Sequence, residues 1–574
     1  MKTVFCAINA RFVHSSLAAY TLRAYVGHPQ ITALEYSIND PAGNVLRDLV
    51  GQRADVYLFS AYIFNVDYVQ RVMSDLKKVL PDCCIVVGGP EVTVETAAFM
   101  QNNSAVDVVV KGEGELTLKH VLKALEDGRV LREVANVAYR QGGTIVQTAQ
   151  KAAFVCMDEI PFPYSEEDIK KLENKIVYYE SSRGCPYRCA YCLAAVDRTV
   201  REKDIEKVQK ELAFFIAHRV AIVKFTDRTF NCNAERANSI WRYIKENNIA
   251  TTFHFEIAAD LLDEGQIALL KQMPRGSIQL EAGIQSANVK TLDAVGRKSD
   301  LGKSARNLKK VVENRNIHVH TDLIAGLPYE DYETFKESFR FAYDIGADML
   351  QLGFLKILKG SPMAGRVEKD QYVYSSYAPY EVLSNKWLSY TELLKIKVIE
   401  SVVDKYVNGQ GFSATLAYII PTWYAGDSFA FFEALAQYFE DAGYFSVQQA
   451  KAQLYKILFH FLKMKGACDE YVRTLLAYDG FLMGINPIVE ELKSIRHNKF
   501  DLIDLIKKND ILIEKYEKYS GKKIVKMIDS YVFNINPKTF EKKRTAAIRI
   551  REEQTARKEF QNLRLPLRVY LFDF

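Results

Sequence analysis

The 574-residue chain has no stretch approaching the roughly 18 apolar residues that a membrane-spanning helix needs. Its first segment, Met1 to Ala10, patterns as a buried strand, not as a charged stretch followed by a cleavage site. No membrane partner is therefore expected, and the cytoplasm is the expected compartment. No excess of one charge is present: 76 Lys+Arg against 71 Asp+Glu leaves a net charge of +5. That balance supplies no global argument for binding nucleic acid. Internal repeats and low-complexity tracts are absent. Cysteine is scarce, at nine residues, and in a long chain without a secretion signal this is a poor basis for disulfides. Six of the nine are scattered and three fall within eight residues. That clustering is the first informative feature.

What is present is ordinary in bulk and ordered in pattern. Apolar residues make up 48% and charged residues 26%, the balance of a soluble globular protein. The length exceeds what one core supports, so two to four domains are expected. Residues 1–130 alternate apolar runs (3–8, 56–60, 84–87, 106–110) with helical spacings (17–26, 66–80, 115–125). This is the pattern of a parallel sheet covered on both faces, a doubly wound, Rossmann-like α/β domain. Its strand-ending turns include Gly88-Gly89-Pro90-Glu91 and Gly112-Glu113-Gly114-Glu115, at the carboxyl ends where such sheets bind ligands. Residues 131–175 read as a connector, with a hairpin turn at Arg140-Gln141-Gly142-Gly143 and an extended Ile160-Pro161-Phe162-Pro163-Tyr164 segment.

Residues 176–370 give six more strands (176–181, 222–226, 252–258, 277–284, 318–324, 349–356) joined by crossover helices. They suit a partial or full βα barrel of TIM type, whose chemistry gathers at the C-terminal ends of the strands. Residues 371–574 are mostly α-helical (380–406, 429–441, 446–465, 469–476) and rich in aromatic residues that read as core. Trp423, Tyr418 and Tyr424 are candidates to face the barrel mouth. The basic stretch 542–568 reads as a solvated helix face, with an RNA contact as the alternative.

The cysteine cluster lies in Ser181-Ser182-Arg183-Gly184-Cys185-Pro186-Tyr187-Arg188-Cys189-Ala190-Tyr191-Cys192, just after the first barrel strand. Three thiolates on one loop can ligate three irons of a cubane and leave the fourth iron without a protein ligand. An open metal position marks a catalytic site more than a structural one, and a small molecule with an amine and a carboxylate could chelate it. Zinc is the alternative, but it would want a fourth ligand, and no His or Cys lies close in sequence. Cys232, beyond the second barrel strand, reads as a buried small hydrophobe.

The Cys-x3-Cys-x2-Cys spacing, with an aromatic residue before the last Cys, resembles the signature of the radical S-adenosylmethionine (SAM) superfamily. Phe225-Thr226-Asp227-Arg228-Thr229-Phe230-Asn231 resembles that family's second-strand segment. Glu281-Ala282-Gly283-Ile284-Gln285-Ser286 resembles the fourth, and Asp322-Leu323-Ile324-Ala325-Gly326-Leu327-Pro328 the fifth. In residues 1–130, Val87-Gly88-Gly89-Pro90-Glu91, Val110-Lys111-Gly112-Glu113-Gly114-Glu115, Ser60-Ala61-Tyr62 and the loop Asn9 to Leu17 resemble the strand-end turns of cobalamin-binding domains fused to such barrels.

The resemblance implies a 4Fe-4S cluster on Cys185, Cys189 and Cys192, reductive cleavage of SAM to a 5′-deoxyadenosyl radical, and cobalamin as methyl carrier. It implies methylation of an unactivated carbon in a small-molecule or peptide substrate, with a donor such as flavodoxin or ferredoxin. Ring formation or rearrangement, RNA modification such as methylthiolation, and a non-catalytic cobalamin or SAM sensor are the competing functions. A domain of the same fold that no longer binds cobalamin is a further alternative. Auxiliary clusters are not expected: the N-terminal segment lacks the three cysteines of a methylthiolating relative, and Cys468 is alone after residue 370.

Strand parity puts Gln279, Glu281, Gly283 and Gln285 on one face, opposite Ile278, Leu280 and Ile284. Thr252, His254 and Glu256 share a face, as do His320 and Asp322. Glu281 and Gln285 are expected near the SAM ribose or methionine, and Asp227 near its amine. A hydrogen-bonded structural role is the alternative for all three and the preferred reading of His254 and His320. Ser60, Gly88, Gly89, Pro90, Gly112 and Glu113 are the expected cobalamin contacts. One departure stands out. The Asp-x-His-x-x-Gly loop that gives cobalt a histidine in many cobalamin proteins is absent, and His14, the nearest histidine, has a different context. Cobalamin without a lower protein ligand is expected.

Overall fold

A computed structural model describes residues 1–27, 31–149, 154–196, 199–485, 528–543, 545–550 and 569–573. The first sheet has seven strands: β1 (Thr3–Asn9), β2 (Ile31–Ser37), β3 (Val56–Ser60), β4 (Cys84–Gly88), β5 (Val108–Val110), β6 (Val137–Gln141) and β7 (Thr144–Gln147), in the order β2-β1-β3-β4-β5-β6-β7. The first five are parallel. Strands β1 and β3 are buried along their whole length, which is why they read as unbroken apolar runs. Strand order reverses between β1 and β3, so the carboxyl ends there form the crevice of a doubly wound sheet. The edge strand β2 is absent from the sequence reading. It is half-exposed and carries Glu35 in mid-strand, so it lacks the continuous apolar signal.

The hairpin expected in the connector forms, with Gly142 and Gly143 at φ 55° and 84°. Its two strands extend the first sheet antiparallel to β5. The connector therefore belongs to the N-terminal layer as far as Gln147, beyond the expected boundary at 130. Its proline segment packs onto the next domain: Phe162 sits 5.0 Å from Phe214, and Tyr164 donates to the Tyr178 carbonyl at 2.7 Å.

The second sheet holds six parallel strands: β8 (Ile176–Tyr179) and, after the short antiparallel pair β9 (Ser182–Arg183) and β10 (Arg201–Glu202), β11 (Ile222–Phe225), β12 (Thr252–Ile257), β13 (Ile278–Gln285), β14 (His318–Ala325) and β15 (Met349–Phe354). They run in chain order with β8 and β15 at opposite edges, so the barrel is partial. Leu280, Ala282 and Ile284 are buried under the helical layer while Glu281, Gly283 and Gln285 face inward, as period-two geometry requires. Burying each of the Leu280 and Ile284 side chains contributes roughly 1.5–3 kcal/mol. The open edge at β8 meets the N-terminal domain, where His14 forms a parallel bridge to Ile176.

The C-terminal region starts with a hairpin, β16 (Val373–Tyr374) and β17 (Val382–Ser384). The helix expected from residue 380 thus begins only at Tyr390, after the Ser389 capping box. Helices Ser413–Trp423, Ser428–Asp441, Lys451–Met464 and Glu470–Leu482 follow. Their aromatic residues are core: Phe429 packs 5.3 Å from Phe339 on a barrel helix, and Phe412 lies 4.3 Å from Tyr455. A three-stranded antiparallel sheet, β18 (Ile528–Phe533), β19 (Thr545–Ile550) and β20 (Val569–Asp573), is an addition to the helical expectation. Strand β19 occupies part of the stretch read as a basic helix face. Its Thr-Ala-Ala-Ile-Arg-Ile sequence suits a strand, a signal that the charge count hid. Residues 551–568 of that stretch lie outside the described residues. Among the described residues no helix is long and apolar enough to cross a membrane.

Candidate functional site

Two cavities lie at the carboxyl ends of the two sheets. The smaller, about 160 Å³, is walled by Cys185, Cys189 and Cys192, with Arg228, Glu256, Glu281, Gln285, Arg297 and Asp322 around them. Gly184, at φ 96°, turns the chain out of β9 into the cysteine loop. Backbone bonds clamp the loop from both sides: Ala190 N donates to Val295 O at 2.8 Å, and Met363 N to Ala190 O at 3.0 Å.

Asp227 fixes the loop's entry and does not face the cavity. It is fully buried, and its carboxylate accepts from Ser181 N at 2.9 Å, Ser181 Oγ at 2.6 Å and Ser182 Oγ at 2.7 Å. The expectation that it meets a SAM amine is corrected: its acceptor sites are spent on the chain itself. Burial raises its pKa, and the serine donors oppose that rise.

Among the described residues, the only His, Cys, Asp or Glu group with three ligand atoms within 4.8 Å of one another is His254, Glu281 and His320. The three thiols do not form such a group. The His254 group is already neutralised, because Lys224 Nζ sits 2.9 Å and His254 Nε2 3.0 Å from the same Glu281 oxygen. Burial alone would raise the Glu281 pKa, but His254 and Lys224 hold it well below the carboxylate range. Glu281 thus walls the cavity with its charge engaged. His320 is 2.6 Å from Gln279, and burial lowers its pKa to about 3. Both histidines serve the barrel's internal polar network.

Gln285 ends β13 at φ 69° after a register shift, and its Oε1 is buried without a hydrogen-bond partner. Asp322 Oδ1, on β14, is likewise buried and unpartnered. Burial first, then Glu281 and Glu256, raise the Asp322 pKa to about 7. Arg297, which the sequence reading missed, places Nη1 3.8 Å from Cys189 Sγ and 3.4 Å from the Tyr191 hydroxyl, while its Nε is unpartnered. Only folding brings it to the loop, through the turn after helix Val289–Ala294. Cys232 is half-buried, and Trp423, Tyr418 and Tyr424 line neither cavity. Tyr418 instead donates to Asp469 at 3.0 Å.

The larger cavity, about 1180 Å³, opens over the carboxyl ends of β1, β3, β4 and β5 and is closed by Tyr178, Glu180 and Arg183 from the barrel side. It exceeds the roughly 300–1,000 Å³ of drug-sized ligand pockets. Ser60, Gly88, Gly89, Gly112 and Glu113 line it and Pro90 does not. Pro90 opens the short helix Pro90–Thr93. A Cβ on Gly89, at φ 109°, would lie 2.5 Å from the Ala61 carbonyl oxygen, so only glycine lets the turns after β3 and β4 pack this closely. The Glu113 carboxylate is tied up in ion pairs with Arg201 and, at 3.1 Å, with Arg183. Arg183 also binds Glu115 at 2.7 Å and Glu180 at 2.6 Å. Pro90, one of the expected contacts, thus lies outside the lining, while Glu113 lines the cavity with its carboxylate engaged. Glu113 belongs to an ionic seam that joins the first sheet to the residues just before Cys185. Arg228 lines both cavities, with its side chain 56% exposed and 3.7 Å from Glu256.

Comparison with known proteins places families on these regions. Residues 5–122 match the B12 binding domain, residues 179–342 the Radical SAM superfamily, and residues 368–551 a protein family of unknown function, DUF4080. The cobalamin-dependent radical SAM methyltransferase TokK of Streptomyces tokunonensis is 25% identical over 65% of this chain and 57% of its own length. The anaerobic magnesium-protoporphyrin IX monomethyl ester cyclase of Rubrivivax gelatinosus is 22% identical over 56% and 60%. The chain spans between half and two thirds of the length of the curated relatives it matches. The structure of the cobalamin-dependent SAM radical enzyme OxsB, with aqua-cobalamin and SAM bound, superposes at a TM-score of 0.57 and 16% identity, over 84% of this chain and 79% of that one. That likeness establishes a shared fold.

Proposed function

We propose that this chain, which joins a B12-binding domain to a radical SAM domain and is homologous to cobalamin-dependent radical SAM methyltransferases, methylates an unactivated carbon of a small-molecule or peptide substrate. The observation that carries this reading is the meeting of the two cavities at Arg228. A substrate lying there touches the thiol-walled site on one side and the sheet crevice on the other.

When bound, a 4Fe-4S cluster, SAM and cobalamin together supply a carbon-centred radical and a transferable methyl group. Cys185, Cys189 and Cys192 would hold three irons, on a loop fixed by Asp227 and the two serines. The orphaned Gln285 Oε1 and Asp322 Oδ1 fit the hydroxyl donors of the SAM ribose, because a buried acceptor without a donor is costly. Arg297, with its free Nε, fits the SAM carboxylate. Ser60, Gly88, Gly89 and Gly112 would let the backbone approach the corrin closely. The chain's own work is to hold these groups on one substrate and keep water from the reacting carbon. A flavodoxin or ferredoxin would supply the electron.

The test is anaerobic turnover with methyl-labelled SAM and a reductant, reading 5′-deoxyadenosine and product mass. Methylation adds one CH2 equivalent that carries the label. The cyclase relative motivates the second reading, ring formation, which removes hydrogen and adds no labelled carbon. Absence of 5′-deoxyadenosine would defeat both.

A further inference from the structure

His14 occupies a position that its sequence context did not announce. It lies on the loop leaving the carboxyl end of β1, beside the strand-order reversal, and it lines the larger cavity. It is the only His, Cys or Met in that lining among the described residues. The loop is held on both sides of the crevice. His14 N donates to Arg11 O at 3.1 Å, Asn9 Nδ2 donates to His14 O at 3.1 Å, and Ile176 N of the barrel donates to Val13 O at 2.6 Å. Ser15 Oγ adds a bond to Ile176 O at 2.8 Å.

The ring itself is oriented by one partner. Nδ1 lies 2.8 Å from the hydroxyl of Tyr178, on the inner face of β8. No other hydrogen bond engages the imidazole among the described residues. With Nδ1–H donating to the phenol oxygen, Nε2 keeps its lone pair. Metal-ligating histidines characteristically have their other ring nitrogen held by an oxygen in this way, which fixes both tautomer and orientation. The other groups able to ligate a metal in this lining, Glu113, Glu115 and Glu180, are all ion-paired with Arg183.

We propose that His14 Nε2 is the lower axial ligand of cobalt in the larger cavity, with Tyr178 as the positioning residue for its ring. The inference rests on the reading that this cavity takes cobalamin. It replaces the expectation of a cobalt without a lower protein ligand. It also means that the ligand is set only when the barrel is docked, because Tyr178 and the Ile176 bridge come from the second domain.

The experiment loads the full chain with hydroxocobalamin, reduces it to the cob(II)alamin state and records electron paramagnetic resonance. The expected spectrum carries axial-nitrogen splitting that changes from triplets to doublets when the protein, but not the cobalamin, contains 15N-histidine. H14Q abolishes the splitting and weakens hydroxocobalamin binding about tenfold or more, and Y178F retains the splitting with weaker binding. Bound cobalamin without nitrogen splitting, or with splitting insensitive to the label, overturns the assignment of His14 and leaves the cobalamin reading standing. A wild-type chain that does not bind hydroxocobalamin overturns both. The labelled wild-type measurement needs no variant, so a poorly folding H14Q does not blunt the test.

Discussion

The two cavities are built in opposite ways. The smaller takes its three thiols from eight consecutive residues, while the larger is assembled from the ends of four strands, the first loop and the face of another domain. A site concentrated in one segment leaves a signature in sequence. A site distributed over many elements leaves only turns that any doubly wound sheet would have. The difference also separates their failure modes: a local change should disable the first without touching the second, and the ionic seam between them should be the place where both fail.

Replacing Cys189 with Ala has the largest expected effect. SAM cleavage is lost while hydroxocobalamin still binds, as absorbance titration and 5′-deoxyadenosine assay would show; retained cleavage contradicts the cluster assignment. Next is Arg183→Gln, which removes the ion-pair partner of Glu115 and Glu180 beside a mostly buried position and leaves Glu113 on Arg201 alone. Breaking such a network costs about 3 kcal/mol and should lower both cobalamin affinity and cluster retention. Lost affinity with an intact cluster would show that the seam does not join the two sites.

Gly89→Val strains a φ of 109° and pushes Cβ against the Ala61 backbone, at about 1–3 kcal/mol. Cobalamin binding falls and the cluster's absorbance survives. The smallest effect is a pH dependence at Glu330, whose Oε1 accepts from Ser286 and Ser338, both at 2.6 Å. Burial raises its folded pKa to about 7, above the unfolded value of about 4.3. The folded state therefore holds the proton more tightly, and this contribution to stability is lost as pH rises between about 4 and 7. Thermal melts of Glu330→Gln should show a flatter pH profile across that window, with both cavities' spectra unchanged.

Much of this was legible in the sequence. Cysteine spacing gave the cluster loop, and period-two alternation gave the inward faces of β13 and β14, including Asp322. The turns at Ser60, Gly88 and Gly112 marked the right crevice. What was not legible has physical reasons. Asp227 and Glu113 sit in the right segments, but their carboxylates are consumed by partners that only folding supplies: the serines of the loop and the arginines of the seam. Arg297 comes to Cys189 from more than 100 residues away. The edge strand β2 and the sheet containing β19 carry charges that mask a strand pattern. For His14, sequence showed the lack of a known loop, whereas the neighbouring Tyr178, 164 residues on, becomes visible only in the fold.

The central claim is that one chain holds a three-thiol cubane and a corrin on either side of Arg228. Anaerobic reconstitution with iron, sulfide and hydroxocobalamin, followed by iron and cobalt analysis, absorbance and a SAM-cleavage assay under reductant, tests it most directly. The account predicts about four irons and one cobalt per chain, with SAM converted to methionine and 5′-deoxyadenosine. A chain that retains a corrin but shows no cubane absorbance, or a cubane that leaves SAM intact, would contradict it.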